Sequence, residues 1–302
     1  MKSLHKNETK TTNVSIYENY PTVATTIESL FNGRPMTIPF IIEVQQLREL
    51  MEENNLLIVD LCRREVYAEM HLPGAVHVNP TDLISGRQPA TGKLADLAKL
   101  ENLFSRIGYS PERQIVAYDD EGGGWAGRFI WTLDAIGHEW SAYLNGGLLS
   151  WYAAGLELTK EIPKLPLQTP VKLLLTGDVV ASKEEVLKSL DNPESIIWDA
   201  RSAEEYSGRQ INAHRGGHIP GAINLDWLNV MDRDDNCRIR DDVAELLERH
   251  GITPDKKVIT HCQTHHRSGL TYLIAKALGY KVKAYDGSWS EWGNDLSLPI
   301  ET

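Results

Sequence analysis

The 302-residue chain repeats itself. Ile58-Val59-Asp60 recurs as Ile197-Trp198-Asp199, and His71-Leu72-Pro73-Gly74-Ala75 recurs as His218-Ile219-Pro220-Gly221-Ala222. Ile115-Val116-Ala117-Tyr118 matches Val258-Ile259-Thr260-His261, and Ala126-Gly127 matches Ser268-Gly269. Asn145-Gly146 and Trp151 match Asp286-Gly287 and Trp292. Matches in one fixed order mark two copies of one folding unit. Each copy alternates short β-branched runs with longer amphipathic ones, the pattern of a parallel sheet covered by helices. The expected class is therefore α/β, with two similar domains over residues 36–160 and 173–302. A linker over 161–172 carries Pro163 and Pro170, which interrupt helix, with Pro166 between them. Residues 1–35 are polar and contain Glu8, Glu18 and Glu28, unlike a secretory signal or an acid-poor transit peptide, and are expected to be a flexible extension.

The net charge of -11 argues against nucleic acid as a partner, since phosphate binding needs clustered Lys and Arg. No apolar run approaches the roughly 18 to 20 residues that span a membrane. Cys62, Cys237 and Cys262 are odd in number and far apart, unlike a disulfide framework, so a reducing, cytoplasmic setting is expected.

The chemistry concentrates at Cys262, in the run His261-Cys262-Gln263-Thr264-His265-His266-Arg267-Ser268-Gly269. This run follows the apolar pair Val258-Ile259. Leu270, Leu273, Ile274, Ala277 and Leu278 then recur at helical spacing up to Gly279, a C-terminal stop signal. The loop thus opens a helix, where unpaired N–H groups and the helix dipole favour a thiolate and hold anions. In open parallel sheets ligands collect at the carboxyl ends of strands, where this loop lies. Nucleophilic use of Cys262 requires a thiol that is ionised and reachable from solvent.

Over about residues 40 to 302 the chain resembles a tandem-domain rhodanese. Tyr67, His71-Leu72-Pro73-Gly74-Ala75 and Val78 resemble the family's N-terminal signature, and Val282 with Tyr285-Asp286-Gly287-Ser288-Trp289-Ser290-Glu291-Trp292 its C-terminal one. The loop Cys262 to Arg267 is similar to the active loop of certain bacterial rhodaneses. The resemblance implies an inactive first domain, where Asp119 stands at the cysteine position, and an active second one. It implies transfer of the outer sulfur of thiosulfate through a Cys262 persulfide to cyanide or a thiol acceptor, a protein acceptor included, with no cofactor and no metal. Gln263, Thr264, His265, His266 and Arg267 would line the binding loop, with Asp199 and Arg201 behind it. Arg267 is the candidate for the sulfonate oxygens, by a forked geometry that Lys lacks. His265 and His266 would add charge below about pH 6.5. Glu205 stands where animal members carry a substrate Arg.

Other readings compete with these. Cys262 also serves a persulfide carrier that hands sulfur to a partner, or a 3-mercaptopyruvate sulfurtransferase, although the Gly-Ser-Gly sequence typical of the latter is missing. Cysteine-dependent phosphatases share a His-Cys loop closed by Arg, but with a longer ring than Gln263-Thr264-His265-His266. Cys62 reads as a buried hydrophobe and Cys237 as an exposed loop residue. His265 and His266, neighbours in one tight loop, lack the convergence zinc requires. His214 and His218 read as turn and packing residues, Asp199–Arg201 as a structural ion pair, and Trp289 and Trp292 as core. Gly122 to Gly124, after Asp119, Asp120 and Glu121, read as a decayed loop rather than a second anion site.

Overall fold

The computed structural model describes residues 38–302 except 54, 165–168 and 177. The expected extension and the centre of the expected linker, Pro166 included, lie outside the described residues. The first copy runs β1 (Ile41–Ile42), α1 (Val44–Leu50), β2 (Leu56–Asp60), α2 (Arg64–Glu69), β3 (Val76–His77), α3 (Leu97–Arg106), β4 (Gln114–Tyr118), α4 (Gly124–Ala135), β5 (Ser141–Leu144) and α5 (Gly147–Ala153). The second runs α6 (Lys183–Ser189), β6 (Ser195–Asp199), α7 (Ala203–Tyr206), β7 (Ile223–Asn224), β8 (Met231–Asp232), β9 (Arg238–Ile239), α8 (Val243–Arg249), β10 (Lys257–His261), α9 (Arg267–Ala277), β11 (Lys281–Ala284) and α10 (Ser288–Trp292).

The strands form two parallel sheets, ordered β1-β5-β4-β2-β3 and β11-β10-β6-β7, plus an antiparallel ribbon of β8 and β9. The matched tetrapeptides lie on β4 and β10, central and buried on both faces, which is why both read as continuous β-branched runs. Among the described residues the second sheet has one bridge, Val180 to Ala284, where the first has β1 on β5. The Tyr–His pair also repeats: Tyr67 and Tyr206 donate to the carbonyls of Ala75 and Ala222, and each stacks on its own histidine, His71 or His218. His218 is therefore a packing residue.

Residues Met36–Thr302 form one unit with a continuous core. Its seam is α4 against α9, and the two helices approach closely at the repeated glycine. A methyl on Gly127 would lie 2.3 Å from the Gly269 carbonyl oxygen, and one on Gly269 would lie 2.3 Å from that of Gly124. The copies also exchange arms. The 84–94 segment, closed by an Ile84–Leu94 bridge, crosses to the second copy, where Leu94 N–H donates to Asp286 at 2.8 Å. The β8–β9 ribbon crosses back, and Ile239 N–H donates to Asn145 at 2.9 Å. Asn145 and Asp286 are matched positions of the repeat, so the likeness between the copies reaches into their clasp.

Candidate active site

Each loop that leaves a central strand sets an acidic side chain where the next helix opens. In the first copy Asp119 Oδ1 accepts from the N–H groups of Glu121, Gly122 and Gly123 at 3.1, 3.1 and 2.9 Å, and Oδ2 accepts from Ala126 at 2.9 Å. Gly122 and Gly123 have φ of +96° and +98°, a region open to glycine, and neighbours crowd both. The space at Gly122 is closed by Met231 and Cys237, so the Asp119 loop is filled rather than open to a second anion.

In the second copy, Cys262 takes the place of Asp119. No side chain caps α9 at His266. The N–H groups of Thr264 and Ser268 and the Ser268 side chain act on the Cys262 thiol to stabilise its thiolate form. Burial by itself raises the thiol, but the Arg267 charge and these donors outweigh it and hold Cys262 below the ordinary thiol value. The Cys262 backbone is tied to the β11–α10 turn: its carbonyl accepts from Trp289 N–H at 3.0 Å and its N–H donates to Ser288 Oγ at 3.4 Å.

The expectation of a solvent-reachable nucleophile needs correction, because Cys262 is 0% exposed. The exchanged arm packs on the same loop. Gly92 lies so close over the loop that a methyl there would sit 2.0 Å from the Thr264 carbonyl oxygen, and Lys93 pairs with Glu291 at 2.6 Å beside it. Gln263, Thr264, His266 and Arg267 remain half-buried around the sulfur.

Arg267 is also placed differently from expectation. Its two terminal nitrogens donate to Glu205 at 2.5 and 2.9 Å, so the fork expected for a sulfonate grips a carboxylate. Glu205 also completes the capping box that opens α7 with Ser202. Burial lowers the Arg267 guanidinium, but Glu205, Cys262 and Asp199 outweigh it and raise it further, so it stays charged. Gln263 donates to the Asn212 carbonyl at 2.9 Å.

The two histidines diverge. His265, at φ +56°, is buried with its ring perpendicular to that of Trp131. Burial, then Arg128 and His266, hold it well below the ordinary imidazole value, so it stays neutral and does not add the charge expected. His266 stacks on Trp125 with centroids 4.4 Å apart and contacts Glu121 of the first copy. Asp199 and Arg201 form a buried ion pair at 2.6 Å beneath the loop, with Arg201 4.4 Å above the Trp289 ring. Burial raises Asp199, but His261 and Arg201 outweigh it. Removing one partner would strand a buried charge, at a cost of about 3–5 kcal/mol. Trp289 and Trp292 are fully buried, and Cys62 is buried, with its thiol pushed up by burial and Asp60. Cys237 is half-buried rather than exposed, because it covers the Asp119 loop. Arg63, unlike Arg201, does not pair with the aspartate of its own strand; it reaches Asp120 at 3.4 Å and is largely exposed.

Residues 43–154 and 182–295 each match the model of the rhodanese-like domain. The chain belongs to the rhodanese-like family. This tandem rhodanese is 50% identical over 266 residues to a thiosulfate sulfurtransferase of Azotobacter vinelandii, covering 88% of this chain and 98% of that one. It is 51% identical over 265 residues to a thiosulfate sulfurtransferase of Pseudomonas aeruginosa, covering 87% and 97%. At 31% identity it also resembles the sulfur carrier protein TtuD of Thermus thermophilus, over 78% of this chain and 86% of that one. Among solved structures, the anaerobic ergothioneine biosynthesis enzyme of Chlorobium limicola superposes with a TM-score of 0.77 at 23% identity, covering 87% of this chain and 70% of that one, and so shares the fold. No helix among the described residues is long and apolar enough to cross a membrane.

Sequence reasoning missed what the first copy brings to this rhodanese loop. Glu121, Trp125, Arg128 and Trp131 all touch it. One signal was present: Arg128 follows the repeated Ala126-Gly127 where the second copy has Leu270, a charge at an otherwise apolar position.

Proposed function

We propose that the protein is a thiosulfate sulfurtransferase working by double displacement at Cys262. The Cys262 thiolate attacks the outer sulfur of thiosulfate, the sulfur–sulfur bond of thiosulfate breaks, and sulfite leaves with the electron pair. Cys262 is then a persulfide, and the carbon of cyanide or the sulfur of a thiolate acceptor attacks its outer sulfur and restores the thiolate. This is covalent catalysis by an activated nucleophile. The observation that carries the reading is the place of Cys262 between β10 and α9, where Arg267, Thr264 and Ser268 favour its thiolate. The names of the two relatives near half identity support thiosulfate as donor. The free cysteines suit a reducing cytoplasm.

The burial of Cys262 runs against the access this chemistry requires. The proposal therefore includes one movement, a lift of the 84–94 arm from Thr264 that admits thiosulfate between Gln263 and Arg267. A carrier role, handing the same persulfide to a protein thiol, is a second reading favoured by the likeness to the sulfur carrier protein. Incubation with thiosulfate should add one sulfur, about 32 Da, to the Cys262 peptide as a persulfide that cyanide removes. Loading on Cys62 or Cys237 instead, or no loading, would refute the reading.

A further inference from the structure

The α9 face that holds the sulfur is continuous with a buried polar chain reaching into the first copy. His265 Nδ1 lies 2.7 Å from Ser268 Oγ, and the Ser268 side chain acts on the Cys262 thiol to lower it. A hydroxyl has one proton to give. With that proton directed at sulfur, His265 must donate from Nδ1, which leaves Nε2 as a bare acceptor. Nε2 is buried without a hydrogen-bond partner, its ring perpendicular to that of Trp131 with centroids 4.5 Å apart.

Arg128 fixes the other side of His265. It is 0% exposed, lies 4.7 Å over the Trp131 ring, and donates only to carbonyls: Gly92 at 2.8 Å, Leu83 at 3.1 Å and His265 at 3.3 Å. One guanidinium thus ties the exchanged arm to the peptide of the loop's left-handed residue. A non-glycine residue at positive φ is strained, so His265 needs such a restraint.

We infer that His265, held by Arg128 and Trp131 of the first copy, is a positioning residue that turns the Ser268 hydroxyl onto the Cys262 sulfur. The charged groups around this chain are Arg267 on the loop, Arg128 on α4, Asp286 beyond β11, and the Glu121–His266 pair. Burial, then Arg128 and His266, disfavour a second proton on the His265 ring, so the relay is a neutral donor chain through the neutral pH range. The first copy therefore acts on the sulfur through this chain as well as supporting the second. The inference rests on the Cys262 reading but is tested separately from it.

The test is the pH midpoint for alkylation of Cys262 by iodoacetamide, followed on its peptide, together with kcat and KM for thiosulfate. His265→Phe keeps a ring and removes the donor; its midpoint should rise by about one unit, or tenfold less thiolate below both midpoints, and kcat should fall with it. Ser268→Ala should give a similar rise, and the double variant should rise no further than Ser268→Ala alone, since His265 acts through that hydroxyl. His265→Asn, which keeps a donor and tolerates positive φ, should recover part of the shift, and it serves if the Phe variant does not fold. A midpoint unmoved in folded His265→Phe and His265→Asn, additive shifts in the double variant, or an Asn variant no better than Phe would overturn the inference. If instead the wild type takes up no sulfur on Cys262, the reading beneath it fails.

Discussion

Asp119 and Cys262 stand at matching places in the two copies, each an acidic side chain set where a helix opens. The cradle is common to both; the surroundings differ. Around Asp119 stand Asp120 and Glu121, and burial together with Glu121 pushes its carboxyl up to about 6 despite four N–H donors. Around Cys262 stands Arg267, and the thiol is held down although it is equally buried. An N–H cradle can hold either anion, but the sign of the neighbouring charge decides how readily the group ionises. The first copy keeps the geometry of a sulfur site with the wrong charges and an anion that cannot leave.

The largest effect expected from breaking this contrast is the exchange of the two residues. Cys262→Ser should lower thiosulfate turnover at least about a thousandfold, and adding Asp119→Cys should not restore it, because Asp120 and Glu121 oppose a thiolate there. Recovered turnover in the double variant would show that the cradle alone suffices.

Arg267→Met comes next. It removes the cation nearest the sulfur and leaves Glu205 without its partner, so kcat/KM should fall about a hundredfold, or 2.7 kcal/mol at 1.36 per factor of ten, with the Cys262 midpoint moving up. An unchanged midpoint would assign Arg267 to loop support alone.

These contrasts mark what the sequence could reveal. The repeat, the parallel α/β pattern and the strand-to-helix position of Cys262 were legible because each rests on local periodicity and on matches between β4 and β10. What stayed hidden depends on contacts between the copies. Nothing local shows that Gly92 covers Thr264, that Arg128 donates to the His265 carbonyl, or that Glu121 meets His266. Arg267 was assigned to a sulfonate because its partner, Glu205, is 62 residues away and was noticed only as a missing arginine.

The smallest effect belongs to Asp119→Asn. Turnover should stay within about threefold, while the stability of the Asn variant should lose the pH dependence that the Asp119 carboxyl contributes. Since the folded carboxyl titrates near 6 and the unfolded one near 3.8, its stabilising share is complete below 3.8 and is lost as pH rises through 6. The denaturation midpoint of the wild type should therefore decline over that interval relative to the Asn variant; parallel curves would remove the charge argument.

The central claim is that N–H donors and one cation keep Cys262 ionised and able to receive sulfur. Its most direct test is the alkylation rate of each cysteine against pH, with the persulfide on Cys262 measured in the same samples. The account predicts that Cys262 reacts with a midpoint below the ordinary value of about 8.5, ahead of Cys62 and Cys237, and that thiosulfate loading falls as pH drops through that midpoint. A Cys262 that titrates like a free thiol, or stays closed to both reagents at every pH, would contradict it.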